Sequence, residues 1–101
     1  MAESFREKCY KALLNVPKGK VTTYSDLARA IGSKASRAVG TAMAKNERLI
    51  EIPCHRVVRS DGAIGQYALG SDKKIELLTQ EGVSIESGKV TDLDKFLFKF
   101  Q

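Results

Sequence analysis

"VTTYSDLARAIGSKASRAVGTAMAKN", residues 21–46, decides the fold. Thr23 can cap a helix, and Asp26 lies three residues on, near the positive end of the helix dipole. Leu27, Ala28 and Ile31 then point inward, and Gly32 is a natural stop. After a short turn a second helix follows. Ala35, Ala38, Val39, Ala42 and Met43 recur at helical spacing and are expected to pack inward. Its other face carries Lys34, Arg37, Thr41 and Lys45. Two short helices joined by a tight glycine-containing turn form a helix-turn-helix pattern. Small side chains let a backbone approach a duplex, while Arg and Lys meet phosphates. The same pattern also fits a helical hairpin with a solvated face.

Outward toward the N-terminus, Ser4 and Glu7 have capping-box spacing. Phe5, Cys9, Ala12, Leu13 and Val16 form an apolar stripe behind them, so Cys9 reads as a small buried hydrophobe. "PKGK", 17–20, ends that helix. Toward the C-terminus, "RLIEIP" and "RVV" read as short strands, and "SDGA" supplies an Asp-Gly turn, so the region resembles a wing. "GQYALGSDKK" is a loop, after which Ser71 or Asp72 can cap a helix carrying Ile75, Leu77 and Leu78 up to Gly82. The tail "TDLDKFLFKFQ" fits a helix by Leu93, Phe96, Leu97 and Phe100, and a strand by Phe96, Phe98 and Phe100. The expected fold is mainly α with a short β wing, a winged helix-turn-helix.

Bulk properties fit that picture. The chain has 101 residues, the length of one domain spanning 1–101. It is 43% hydrophobic and 29% charged, which excludes a disordered chain. Lys plus Arg is 17 against 12 Asp plus Glu, a net charge of +5 that favours polyanion partners, nucleic acid first. No apolar run approaches membrane-spanning length and no signal peptide opens the chain. An intracellular, cytoplasmic place is expected, or a nuclear one in a eukaryote, where thiols stay reduced. Cys9 and Cys54, with one histidine, make neither a disulfide framework nor a zinc site, so no metal is expected.

"IPCHRVVRS", 52–60, sets Cys54 beside the only histidine, His55. A thiol becomes a nucleophile when a base takes its proton or a cation holds the thiolate. In a strand, residues 54 and 55 point to opposite faces; in a tight turn after Pro53 they can cooperate. The residues alone leave both readings open.

"IPCHRVV" resembles the active-site signature of the O6-alkylguanine-DNA alkyltransferases, or methylated-DNA–protein-cysteine methyltransferases. "GKVTTYSDLARAIG", "SRAVGTAMAKN", "GAIGQY" and "KKIELLTQEG" also resemble family segments, in the family's order, over residues 4–83. The resemblance implies a repair protein that binds duplex DNA in the minor groove through its helix-turn-helix. It would rotate O6-alkylguanine out of the stack and take the alkyl group irreversibly onto Cys54, once per molecule, as a monomer and with no cofactor. A base inside a duplex hides its reactive atom, which is why it must be extruded.

By the same resemblance, His55 deprotonates Cys54 through a water and Glu81 orients His55. Tyr24 donates its hydroxyl to the leaving guanine, and Asn46 is a hinge tying the helix end to the reactive turn. Arg37 fills the hole left in the stack, where a guanidinium plane can stack. Lys34 and Lys45 meet phosphates, with Ser36, Ala38 and Thr41 also at the DNA. Tyr67 and Pro53 line the pocket, backbone groups around Val57 and Ala68 read the guanine edge, and Arg56 forms a structural ion pair. Two departures stand out. The family's N-terminal domain is absent from this sequence, and Ala68 and Leu69 stand where serine and glycine are common. A related group, the alkyltransferase-like proteins, binds such lesions without repair and replaces the cysteine, usually with tryptophan. Cys54 argues against that alternative, and a winged helix without chemistry is a third reading.

Overall fold

A computed structural model of the chain describes residues 3–100; residues 1, 2 and 101, the ends of the expected domain, lie outside the described residues. Helix α1, Phe5–Leu13, starts where Ser4 Oγ accepts the Glu7 amide at 3.1 Å. Thr22–Thr23 form β1. Thr23 then caps α2, Tyr24–Ala30, its hydroxyl oxygen accepting the Asp26 amide at 3.0 Å. The chain turns at Gly32 into α3, Ser36–Ala44, which completes the helix-turn-helix. Cys9, Leu13, Leu27, Ala28, Val39, Ala42 and Met43 from these three helices share one core. Tyr10 ties α1 to the end of α3 by donating to the Ala42 carbonyl at 2.7 Å. Ala35, expected inside, is exposed: it precedes the first helical residue, so its spacing from Val39 no longer sets its direction.

Residues 48–53 are not the expected strand. Ile50 has φ +73, and Ile52 donates to the Arg48 carbonyl at 2.9 Å, closing a turn. The buried Asn46 side chain supplies the hydrogen bonds that a ladder would, accepting from the Arg48 amide and donating to the Ile52 carbonyl, both at 2.9 Å. Strand β2, Val57–Val58, does form, pairing in parallel with β1 (Thr22 opposite Val57, Thr23 opposite Val58). Neighbouring strand residues face opposite ways. Val57 accordingly joins the three-helix core and Val58 a second one with Val21, Leu78, Val83, Val90 and Phe96.

The turn at "SDGA" is present, Gly62 donating to the Arg59 carbonyl at 2.9 Å, but the antiparallel hairpin lies further on. It joins β3, Ile85–Glu86, to β4, Lys89–Val90. Ser87 and Gly88 between them have φ +51 and +75, as a tight hairpin turn needs. Helix α4, Ser71–Gln80, has Gly70 at its N-cap, so Ser71 and Asp72 lie inside the first turn rather than capping it. Both readings of the tail hold in part: α5 covers Leu93–Phe96, then Leu97 bridges Val21 in parallel and Phe98 meets Phe100 edge-on. The fold is mostly helical with a small β component, as expected. No helix among the described residues is long and apolar enough to cross a membrane.

Candidate active site

Cys54, His55 and Arg56 form one turn of 3-10 helix between Pro53 and β2. Cys54 donates its amide to the Ile52 carbonyl at 2.7 Å and Arg56 donates to that of Pro53 at 2.9 Å. The turn, not a strand, is therefore the geometry of the pair. Cys54 is 4% exposed. Asn46 Nδ2 reaches its Sγ at 3.3 Å, so one side chain holds both the turn and the sulfur. Burial pushes the Cys54 thiol up, while the Asn46 hydrogen bond and the Lys74 charge draw it down in part. The resting group is a thiol, and it needs a base before it can attack.

His55 is fully buried, and its Nε2 lies 3.0 Å from Glu81 Oε2. Burial lowers its pKa below the ordinary imidazole value, against the upward pull of Glu81. A neutral imidazole carries its proton on the nitrogen facing the carboxylate, which leaves Nδ1 with a lone pair. Nδ1 is buried and has no hydrogen-bond partner among the described residues. Glu81, at the C-terminus of α4, also takes both arms of Arg56, Nε at 2.9 Å and Nη2 at 2.8 Å. Arg56 Nη1 donates to the Val16 carbonyl at 2.8 Å, pinning this cluster to the end of α1. Burial alone would raise the Glu81 pKa, but the hydrogen bonds from Arg56 and His55 outweigh it and the carboxyl stays ionised.

Lys74 is a residue that sequence reasoning missed. It is fully buried and donates to the Val57 carbonyl at 2.7 Å and the Gln66 carbonyl at 3.0 Å. It thereby fastens α4 to β2 and to the loop at 65–70. Burial pushes its pKa down to about 8. The available signal was its place four residues before Leu78, on the buried stripe of α4.

A cavity of about 620 Å³ opens onto Cys54. Tyr24, Arg37 and Tyr67 line it, as do Ser36, Ala68 and Arg59. Burial raises the Tyr24 pKa, so the phenol stays a donor. Gly65 is required beside it: φ is +75, and a Cβ would stand 3.2 Å from the Tyr24 hydroxyl. Tyr67 meets His55 edge-on at 6.4 Å between ring centroids, and its buried hydroxyl lacks a partner among the described residues. Ser36, Arg37, Gly40 and Ala44 place one face of α3 on the cavity. Lys34, Ala38, Thr41 and Lys45 do not line it; Lys34, Thr41 and Lys45 are exposed elsewhere on the helix-turn-helix. Pro53 and Val57 are buried beside the turn rather than in the cavity wall, and the Val57 carbonyl is engaged by Lys74. No group of three or more His, Cys, Asp and Glu among the described residues could hold a metal ion.

Residues 4–83 match the family model described as the 6-O-methylguanine DNA methyltransferase, DNA binding domain. A bifunctional methyltransferase/endonuclease from Picrophilus torridus is 44% identical over 90 residues, 88% of this chain and 30% of that protein. A methylated-DNA–protein-cysteine methyltransferase from Metallosphaera sedula is 47% identical over 83 residues, 82% of this chain and 52% of that protein. The chain thus spans about a third to a half of these curated relatives. The crystal structure of S. pombe Atl1 in complex with damaged DNA containing O6-carboxymethylguanine superimposes with a TM-score of 0.86 at 32% identity. That match covers 98% of this chain and 99% of Atl1.

Proposed function

We propose that this chain, which belongs to the 6-O-methylguanine DNA methyltransferase family, is a single catalytic and DNA-binding unit. It removes the alkyl group from O6-alkylguanine in duplex DNA and keeps it on Cys54. One observation carries the reading. The cavity that receives Arg37 from the second helix of the helix-turn-helix also opens on Cys54, whose neighbour His55 is backed by Glu81. DNA recognition and nucleophile therefore share one opening.

The helix-turn-helix enters the minor groove and Arg37 occupies the gap as the guanine turns out; extrusion costs a few kcal/mol. Lys34 and Lys45 add sequence-independent attraction, which suits a protein that must find damage in any context. His55 Nδ1 takes the Cys54 proton through a water, and Glu81 stabilises the imidazolium that results. The sulfur attacks the alkyl carbon in line. The S–C bond forms as the C–O6 bond breaks, and the electron pair passes into the guanine ring, where the Tyr24 hydroxyl offers a hydrogen bond. A proton returns to the base, so thiol plus alkylguanine gives thioether plus guanine. The protein acts once, inside the cell, as a monomer and without a cofactor.

Intact-protein mass after mixing with a methylated duplex tests this. A gain of one methylene, absent in Cys54→Ser, is expected. The likeness to Atl1, solved in complex with damaged DNA containing O6-carboxymethylguanine, favours a second reading, a lesion-binding module without transfer. Tight lesion binding with no mass gain would establish that one instead.

A further inference from the structure

Arg59 has no place in the chemistry above, yet it lines the same cavity as Cys54, Tyr24 and Arg37, and it is exposed. Its backbone is fixed on both sides, its amide donating to the Ala63 carbonyl at 2.8 Å and its carbonyl accepting from Gly62 at 2.9 Å. Its stem runs along the cavity wall beside Gly65, where a Cβ would stand 3.6 Å from Arg59 Cγ and 3.2 Å from the Tyr24 hydroxyl. The guanidinium forms no ion pair among the described residues. The carboxylate nearest in sequence, Asp61, is turned to the backbone and accepts from the Ala63 amide at 3.0 Å. The positive charge is nonetheless close to the phenol: it draws the Tyr24 pKa down against the larger effect of burial.

A nucleotide that inserts its base into this cavity must bring its sugar and phosphates past the rim. A free, planar, two-pronged cation is well matched to phosphate oxygens. Resting on the proposed function, the geometry points to Arg59 as a clamp on a backbone phosphate of the extruded nucleotide, a positioning residue separate from Arg37. Arg37 sits on the helix that meets the duplex; Arg59 lines the same cavity from the turn after β2. Its contact forms only once the nucleotide has left the stack, so it favours the extruded state over the stacked one.

Arg59→Gln tests the assignment with three substrates. A methylated duplex should react roughly tenfold or more slowly, the worth of a charge-assisted hydrogen bond. Free O6-benzylguanine, which carries no phosphate, should react at the wild-type rate. Affinity for undamaged duplex should not change, while affinity for the lesion duplex falls. Arg59→Lys keeps the charge without the fork and should restore only part of the loss. Equal slowing with the free base would overturn the clamp, because Arg59 would then act on the leaving guanine through Tyr24. Equal weakening toward undamaged duplex would overturn it too, leaving general attraction. A wild-type protein that gains no mass would sink the transfer reading alone; the difference between lesion and undamaged binding still decides the clamp.

Discussion

Replacing Glu81 with glutamine keeps the shape and removes the charge. The carboxylate accepts three hydrogen bonds, from His55 Nε2 at 3.0 Å and from Arg56 Nε and Nη2 at 2.9 and 2.8 Å. An amide has one oxygen. Placed at the Oε2 position, it retains His55 and Nη2 and sets its NH2 against the Arg56 Nε–H, donor against donor. One charge-assisted hydrogen bond is lost, about 1.5–3 kcal/mol. Arg56, with 11% of its side chain exposed, also loses its counter-charge. Breaking a buried pair outright costs roughly 3–5 kcal/mol. The surviving bonds, including the one to the Val16 carbonyl, keep the total near the lower end, about 3 kcal/mol. At roughly 4–8 °C per kcal/mol for a domain of this size, the melting temperature falls by about 12–24 °C.

The rate should fall by about 10–100-fold, because the imidazolium formed during transfer loses a charged partner worth about 1.5–3 kcal/mol. Glu81 also holds the His55 pKa up against burial. Its loss moves the basic-group limb of the pH–rate profile to lower pH, a shift that a purely structural carboxylate would not produce. The assay is single-turnover transfer to Cys54, read by intact mass well below the variant's melting temperature. A folded Glu81→Gln protein with an unchanged rate and an unmoved profile would refute the relay.

Lys74→Met should separate stability from reactivity. An ammonium pushed from 10.5 to about 8 carries a penalty of about 3 kcal/mol at neutral pH. Its removal relieves that but orphans two carbonyls at about 1–3 kcal/mol each, so denaturant stability should shift by no more than about 3 kcal/mol. Cys54, deprived of a cation that draws its pKa down, should meanwhile alkylate more slowly with iodoacetamide at neutral pH; an unchanged thiol titration would count against this. Wild-type stability should fall between pH 7 and 5. Unfolded histidine gains a proton near 6.5 while buried His55 resists it, and the lowered Glu81 pKa gives stability present above 4.5 and lost as pH drops through the folded value. Urea melts showing equal or greater stability at pH 5 would contradict it. Gly65→Ala should cost about 1–3 kcal/mol and displace Tyr24, given φ +75 and the 3.2 Å approach; equilibrium unfolding and transfer rate both unaltered would argue otherwise.

The helices were legible because their signals are local. Ser4 with Glu7 and Thr23 with Asp26 cap where their spacing says, and Leu27, Ala28 and Val39 fall inside because period alone fixes their face. The strands were less legible because each is two residues long and owes its existence to a partner far along the chain. β1 finds β2 across 35 positions (22 to 57), and nothing within "RVV" announces a parallel neighbour in "VTT". "RLIEIP" misled because its apolar pattern suits a strand, while Asn46 takes up the Ile52 carbonyl and the Arg48 amide and lets Ile50 adopt a positive φ.

The site divides along a similar line. Cys54, His55, Glu81, Tyr24 and Asn46 were named through resemblance, and residues alone could not say whether 54 and 55 share a face. Of the charges that work from inside, Arg56 was expected as an ion pair through the resemblance, while Lys74 was hidden. Lys74 and Arg56 are buried cations in a small domain, a placement that costs desolvation unless each finds partners. Arg56 finds a carboxylate and a carbonyl; Lys74 finds two carbonyls and no carboxylate among the described residues. Lys74 is thus the less compensated of the two, and its pKa is lowered to about 8 accordingly. A core built only for stability would favour methionine or leucine there. The lysine joins the strand after the reactive turn to the loop that carries Tyr67, and its charge acts on Cys54. Its buried position is costly to the fold, and there its charge, with the Asn46 hydrogen bond, opposes in part the burial that raises the Cys54 pKa.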